Sequence, residues 1–164
     1  MSYFDQLVSR GEGHQLFDYH PNGHVQRCQC GQAIFFDNTH CLRCGAELGY
    51  HAEQGMLCAL KSEKDSSVWR VTSAGPLKDK TFSRCQNLAN AAQCNWLVTH
   101  GETAPFCSAC ALNLVVPDLS APENAEYWHR TEEAKRRLIA QLVMLGLPTV
   151  SKTLDPEQGL GFKL

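Results

Sequence analysis

Cys28-Gln29-Cys30-Gly31 and Cys41-Leu42-Arg43-Cys44-Gly45, separated by the ten residues between Cys30 and Cys41, decide how this chain folds. Each pair of cysteines sits in a tight turn that ends in glycine. Such a turn lets two sulfurs converge, aims backbone amides at them, and needs a backbone angle that glycine adopts without steric cost. Two turns supply four thiolates, which is the tetrahedral donor set that Zn²⁺ prefers, with Zn–S near 2.3 Å in general. Cys28, Cys30, Cys41 and Cys44 are therefore predicted to hold one structural zinc ion. The competing reading is a disulfide pair or four unrelated buried thiols.

A second set lies downstream. Cys85 and Cys94 are separated by eight residues, and Cys107-Ser108-Ala109-Cys110 closes the group. Residues 86–93 must form a loop or short helix that returns to the metal. Cys85, Cys94, Cys107 and Cys110 are predicted to hold a second structural zinc. His100 could replace one ligand, although a loop histidine beside Gly101 is the simpler reading. The ninth cysteine, Cys58, lies in the apolar run Met56-Leu57-Cys58-Ala59-Leu60 and is expected to pack as a small buried hydrophobe. His14, His20 and His24 cluster in the N-terminal segment without regular spacing and are read as exposed hairpin residues, with a third metal site as the alternative.

These metals would do the work of a larger core. A segment of ~30–40 residues buries too little apolar area to offset its chain entropy, and a structural zinc can contribute on the order of 10 kcal/mol to folding. Four thiolates also leave no open coordination position, so such a site shapes the chain and does not activate water.

The remainder of the 164 residues is ordinary. Hydrophobic residues make up 43% and charged residues 20%, which argues against wholesale disorder. With 15 basic and 17 acidic side chains the formal charge is -2, which disfavours a nucleic-acid coat. The N-terminus lacks the charged and apolar regions of a secretory signal, and no stretch approaches the ~18 apolar residues of a membrane span. A cytoplasmic location follows, where thiols stay reduced.

The organisation expected is a helix over 2–10 and a hairpin of 15–19 with 24–27, forming an extension over 1–25. A first zinc ribbon over 26–60 and a second zinc-binding unit over 61–119 come next. A long helix over 120–147 and a C-terminal tail over 148–164 complete the chain. Strands are predicted at 33–36, 56–60, 68–72 and 96–98, with Trp69 at the junction of the ribbons. Ser120 and Glu123 form a capping-box pattern ahead of a helix running from about Ala121 to Leu145, and Gly146 and Pro148 stop it. Trp128, Thr131, Ala134, Leu138, Leu142 and Leu145 recur at helical spacing as its apolar face. Arg130, Lys135, Arg136 and Arg137, with Glu126, Glu132 and Glu133, read as a solvated face paired within itself, Glu132 with Arg136 and Glu133 with Arg137. The fold class is a small zinc-stabilised α+β protein: two zinc-ribbon-like β units followed by one long amphipathic α-helix.

No catalytic constellation is present in the residues. His129 is followed by Glu132 and Glu133 but by no second histidine, so the His-Glu-x-x-His pattern is absent, as are Gly-x-Ser-x-Gly and phosphate-loop motifs.

The run from Cys28 to Gly45 resembles the N-terminal zinc ribbon of a bacterial family of zinc-binding metallopeptidases. The likeness continues through Arg84-Cys85, Ala92 to Val98, Phe106 to Cys110, Asn113, Pro117 to Ser120, Pro122 to Asn124, Trp128, Ala134 to Leu138, Leu145 to Pro148 and Asp155 to Leu160. In that family a longer C-terminal region carries the His-Glu catalytic metal motif, and this chain ends at Leu164, where that region would begin. The resemblance therefore implies paired zinc sites and a hydrolase lineage, and carries over no catalytic residue. The leading expectation is a non-catalytic double zinc-ribbon module that recognises or scaffolds a protein partner. An accessory part of a metallopeptidase comes second, and a nucleic-acid-binding ribbon third.

Overall fold

Gln26–Arg27 (β1) and Ala33–Ile34 (β2) pair antiparallel around the first cysteine turn. They open a computed structural model that describes residues 25–63, 67–99 and 104–163. The expected 2–10 helix, the 15–19 strand, the His14, His20 and His24 group and His100 lie outside the described residues.

Glu47–His51 (β3), Met56–Ser62 (β4), Val68–Val71 (β5), Thr81–Arg84 (β6) and Leu97–Thr99 (β7) form one antiparallel five-stranded meander. Its first and last strands approach each other. Tyr50 and Trp96 form a parallel bridge, and Tyr50 N–H donates to the Asn95 carbonyl at 2.9 Å. Arg84 crosses the same gap, donating to the Leu48 carbonyl at 2.5 Å and to Glu47 at 2.8 Å. The sheet thus curls on itself, and this single meander connects the two cysteine sets.

Strand alternation explains why β4 is buried on both sides. Leu57 and Ala59 point into a core that also contains Leu48, Trp96, Val98, Leu112 and Ile139, and the metal-site cysteines line that same core. Cys58 and Leu60 point the other way, onto Val71, Leu77 and Phe82. Cys58 is fully buried, and burial pushes its thiol up, as expected of a packing residue. Trp69 is half-buried on β5 under the Arg84 guanidinium, 4.6 Å from its ring. The ribbon junction is filled by Trp96 instead, with Phe36 edge-on and Tyr50 tilted against it at 6.4 and 5.1 Å between ring centroids.

Closure of the curl depends on Gly49. A Cβ there would lie 2.5 Å from Leu97 Cδ2 and 2.8 Å from Leu60 Cδ1. Gly49→Val is expected to cost ~1–3 kcal/mol by overpacking, read as a lower denaturant midpoint at saturating zinc. An unchanged midpoint would mean that β3 and β7 can part freely.

Pro122–Met144 forms the long helix, α1. Its N-cap is Ala121, without a side-chain cap bond, so the Ser120 capping box does not form. Pro122 opens the first turn with its φ already suited to a helix. At the other end Gly146 N–H reaches Val143 O and Leu147 N–H reaches Leu142 O, the paired bonds of a Schellman stop. Asn113–Val115 (β8) and Phe162–Lys163 (β9) pair in parallel and bring the C-terminal tail back beneath the helix.

The buried face of α1 differs from the expected one. Trp128, Glu132, Lys135, Arg136, Ile139 and Ala140 are buried, whereas Thr131, Ala134, Leu138 and Leu145 are exposed. Lys135 pairs with Glu132 at 2.5 Å. Arg136 donates to the Ala92 carbonyl at 3.0 Å, and Arg137 reaches Asp37. Glu133 meets His129 at 3.6 Å. Of the charged side chains read as solvated, Arg137 and the pair Arg130–Glu126 at 2.6 Å do lie on an exposed face. The buried charges can face inward because each is met there: Glu132 and Lys135 by one another, and Arg136 by the Ala92 carbonyl and Asp37. With Lys135 and Arg136 buried, the local basic patch is not a free surface.

Candidate metal centres

The first turn folds as its residues dictate. Gly31 N–H bonds to Cys28 O, and Gly45 N–H to Cys41 O, both at 2.8 Å. Gly31 and Gly45 take φ of 86° and 70°, in the left-handed region that penalises a Cβ. Arg43 ties the two turns together by donating to the Cys30 carbonyl at 2.9 Å. The four sulfurs lie within 4.8 Å of one another, with Cys28 and Cys41 buried, Cys30 half-buried and Cys44 exposed.

The second centre is assembled from more distant pieces. A 3-10 turn at Gln86–Leu88 leads the chain away from Cys85. Cys94 N–H then returns to the Asn87 carbonyl at 3.0 Å, after Gln93 passes through a left-handed φ of 46°. The loop expected over 86–93 is therefore present. A second 3-10 turn, Cys110–Leu112, follows the 107–110 pair. Cys107 N–H points at Cys85 Sγ, 3.5 Å away. All four cysteines are buried, with their sulfurs again within 4.8 Å of one another.

Sulfur spacing tests the fit to zinc. A tetrahedron with a centre-to-vertex distance of about 2.3 Å has an edge about 1.6 times longer, or about 3.8 Å. The observed separations are 3.7 Å for Cys28–Cys44, 3.6 Å for Cys30–Cys41 and 3.6 Å for Cys94–Cys107. A disulfide needs about 2.05 Å, and all nine cysteines are free.

Electrostatics agree. In the first centre, backbone N–H groups of Cys44 and Arg43 pull the Cys41 thiol down to about 6 against the opposing effect of burial, while burial pushes Cys28 up to about 12. In the second, hydrogen bonds from Cys107, Cys110 and Cys94 hold Cys85 well down, and burial drives Cys107 well up. Four crowded sulfurs cannot all ionise without a cation among them, and a divalent ion relieves that conflict.

Sequence reasoning missed the residues around these centres. Asn95, fully buried beside Cys94, donates from Nδ2 to the carbonyls of Phe36 at 2.7 Å and Asn38 at 3.1 Å. It thereby grips the turn between the two cysteine pairs of the first centre. Glu132 lies against Cys110, and Asn113 and Lys135 both donate to its carboxylate. The 128, 132, 135, 139 spacing on α1 was a readable signal for a buried stripe that includes these charges.

Short strands, glycine turns and two tetrathiolate clusters define a protein that binds two structural zinc ions. The chain belongs to the zinc-ribbon domain family, which matches residues 25–121. Residues 124–164 match a second family, described as "Putative zinc-binding metallo-peptidase". Uncharacterized proteins of Mycobacterium bovis and Mycobacterium tuberculosis are each 36% identical over 135 residues, 82% of this chain. The chain spans about a third of the length of these curated relatives, 35% by the matched stretch. No solved structure matches it. Among the described residues no helix is long and apolar enough to cross a membrane.

Proposed function

We propose that the chain is a non-catalytic zinc-ribbon module that recognises or scaffolds a protein partner. The observation that carries this reading is the donor set: both centres are closed by four cysteine sulfurs, which leaves zinc no position for a water or substrate. The zinc-loaded chain, incubated with unstructured peptides, is expected to show no metal-dependent cleavage. Turnover that disappears on chelation and returns with zinc would overturn the reading.

A second reading is an accessory part of a zinc metallopeptidase. The match over residues 124–164 and the greater length of the mycobacterial relatives favour it. In such a relative, removing the matching ribbon is expected to lower or redirect metal-dependent peptide cleavage. Cleavage that proceeds unchanged without the ribbon would sink this reading.

A further inference from the structure

Four thiolate charges against the two positive charges of zinc leave two net negative charges at each centre. In the second centre every cysteine is buried, so that charge sits away from water. Buried charge is tolerated where the protein supplies an opposite one. Helix α1 brings two cations, Lys135 and Arg136, at 3% and 1% exposure.

The contacts are specific. Cys110 Sγ lies 3.7 Å from Glu132 Oε2. The other carboxylate oxygen, Oε1, accepts from Asn113 Nδ2 at 2.9 Å and from Lys135 Nζ at 2.5 Å. Lys135 Nζ also donates to Asn113 Oδ1. The Phe162 ring of β9, centred 5.6 Å from the ammonium, covers it from the far side. Arg136 reaches the Ala92 carbonyl, two residues before Cys94. The group of donors that could share one ion contains the four sulfurs and no carboxylate, so Glu132 acts from outside the coordination sphere.

We propose that Lys135 is a positioning residue of the second metal centre. It binds both the Glu132 carboxylate that faces Cys110 and the Asn113 amide that shares this carboxylate, and it supplies the buried positive charge that holds α1 on the zinc-loaded cluster. The inference rests on zinc in that cluster and goes beyond either functional reading. Cys110 and Asn113 fall within the ribbon match, while Glu132 and Lys135 fall within the peptidase-family match. The network therefore ties the first helix of the one region to the metal of the other.

The test withdraws zinc from the full chain with graded chelator and follows amide hydrogen exchange. Gly45 reports the first centre, Cys94 and Ala111 the second, and the α1 amides the helix. Lys135→Met is expected to weaken zinc at the second centre by roughly 10- to 100-fold, to release α1 in step, and to affect the first centre less than the second. Glu132→Gln keeps the shape and removes the negative charge facing sulfur, so zinc should bind at least as tightly as in the parent. Equal losses in the two variants would mean a merely structural ion pair and overturn the proposal, as would an unaltered second centre in Lys135→Met. Should Lys135→Met not fold, the double variant Glu132→Gln/Lys135→Met decides. Removing the pair leaves no unpaired carboxylate, yet zinc should still bind more weakly than in the parent. Binding equal to the parent overturns the counter-charge role.

Discussion

Chelation at neutral pH is expected to withdraw two zinc ions per chain and to abolish the cooperative unfolding transition of the ribbons. The reason lies in where the sulfurs sit. Cys28, Cys41, Cys85, Cys94, Cys107 and Cys110 belong to the same buried cluster as Leu48, Trp96 and Ile139, so the metal centres are the core and not additions to it. A structural zinc contributes on the order of 10 kcal/mol, whereas whole domains are stable by only about 5–15 kcal/mol. Cys107→Ser should therefore leave the second centre empty and the chain unfolded by circular dichroism. Cys44→Ser, at the exposed rim of the first centre, should weaken one zinc and spare the other. Acid acts in the same direction. Cys41 is held at about 6 against an ordinary 9.0. A depressed thiol contributes stability above its unfolded value and loses it as pH falls, here between about 9 and about 6. Cys28, pushed up to about 12, must surrender a proton to bind zinc, so protons compete with the metal there too. Zinc release followed with a colorimetric indicator should increase steadily as pH drops. A chain that keeps its transition and midpoint in excess chelator would refute the zinc-centred core.

What could be read from the sequence was what is local in it. The glycine-ended turns at Cys28–Gly31 and Cys41–Gly45 encode their own geometry, and so do the Gly146 stop and the apolar run around Cys58. What could not be read depends on partners far along the chain. Glu47–His51 shows no strand pattern that local reading picks out, yet it is a strand, and its glycine is there because Leu97 and Leu60 occupy the space a side chain would need. Arg136 and Arg137 look solvated beside Glu132 and Glu133. They turn to Asp37, one hundred residues before Arg137, because the ribbon lies against the helix. Trp69 and Trp96 both lie in candidate strands, and no local pattern separates the one that fills the junction from the one that lies under an arginine.

That junction carries the second large effect. Trp96 is fully buried, next to Asn95 and Cys94 of the second centre, and its ring packs on Phe36, which lies between the two cysteine turns of the first. Trp96→Ala should cost about 3–5 kcal/mol, since a large cavity opens where little can collapse into it. Asn95→Ala removes the donors to the Phe36 and Asn38 carbonyls and should cost about 1–3 kcal/mol by leaving buried acceptors unpaired. Both residues touch the two units at once, so the loss should spread across them. Less chelator should be needed to strip zinc from either centre, and the amides of Gly45 and Cys94 should begin to exchange together. If Trp96→Ala weakened the second centre alone, the ribbons would be independent folding units that merely touch. The curled sheet, which joins Tyr50 to Trp96 by a backbone bridge, argues for one cooperative unit, because neither edge of the meander can be lost without exposing the other's sulfurs.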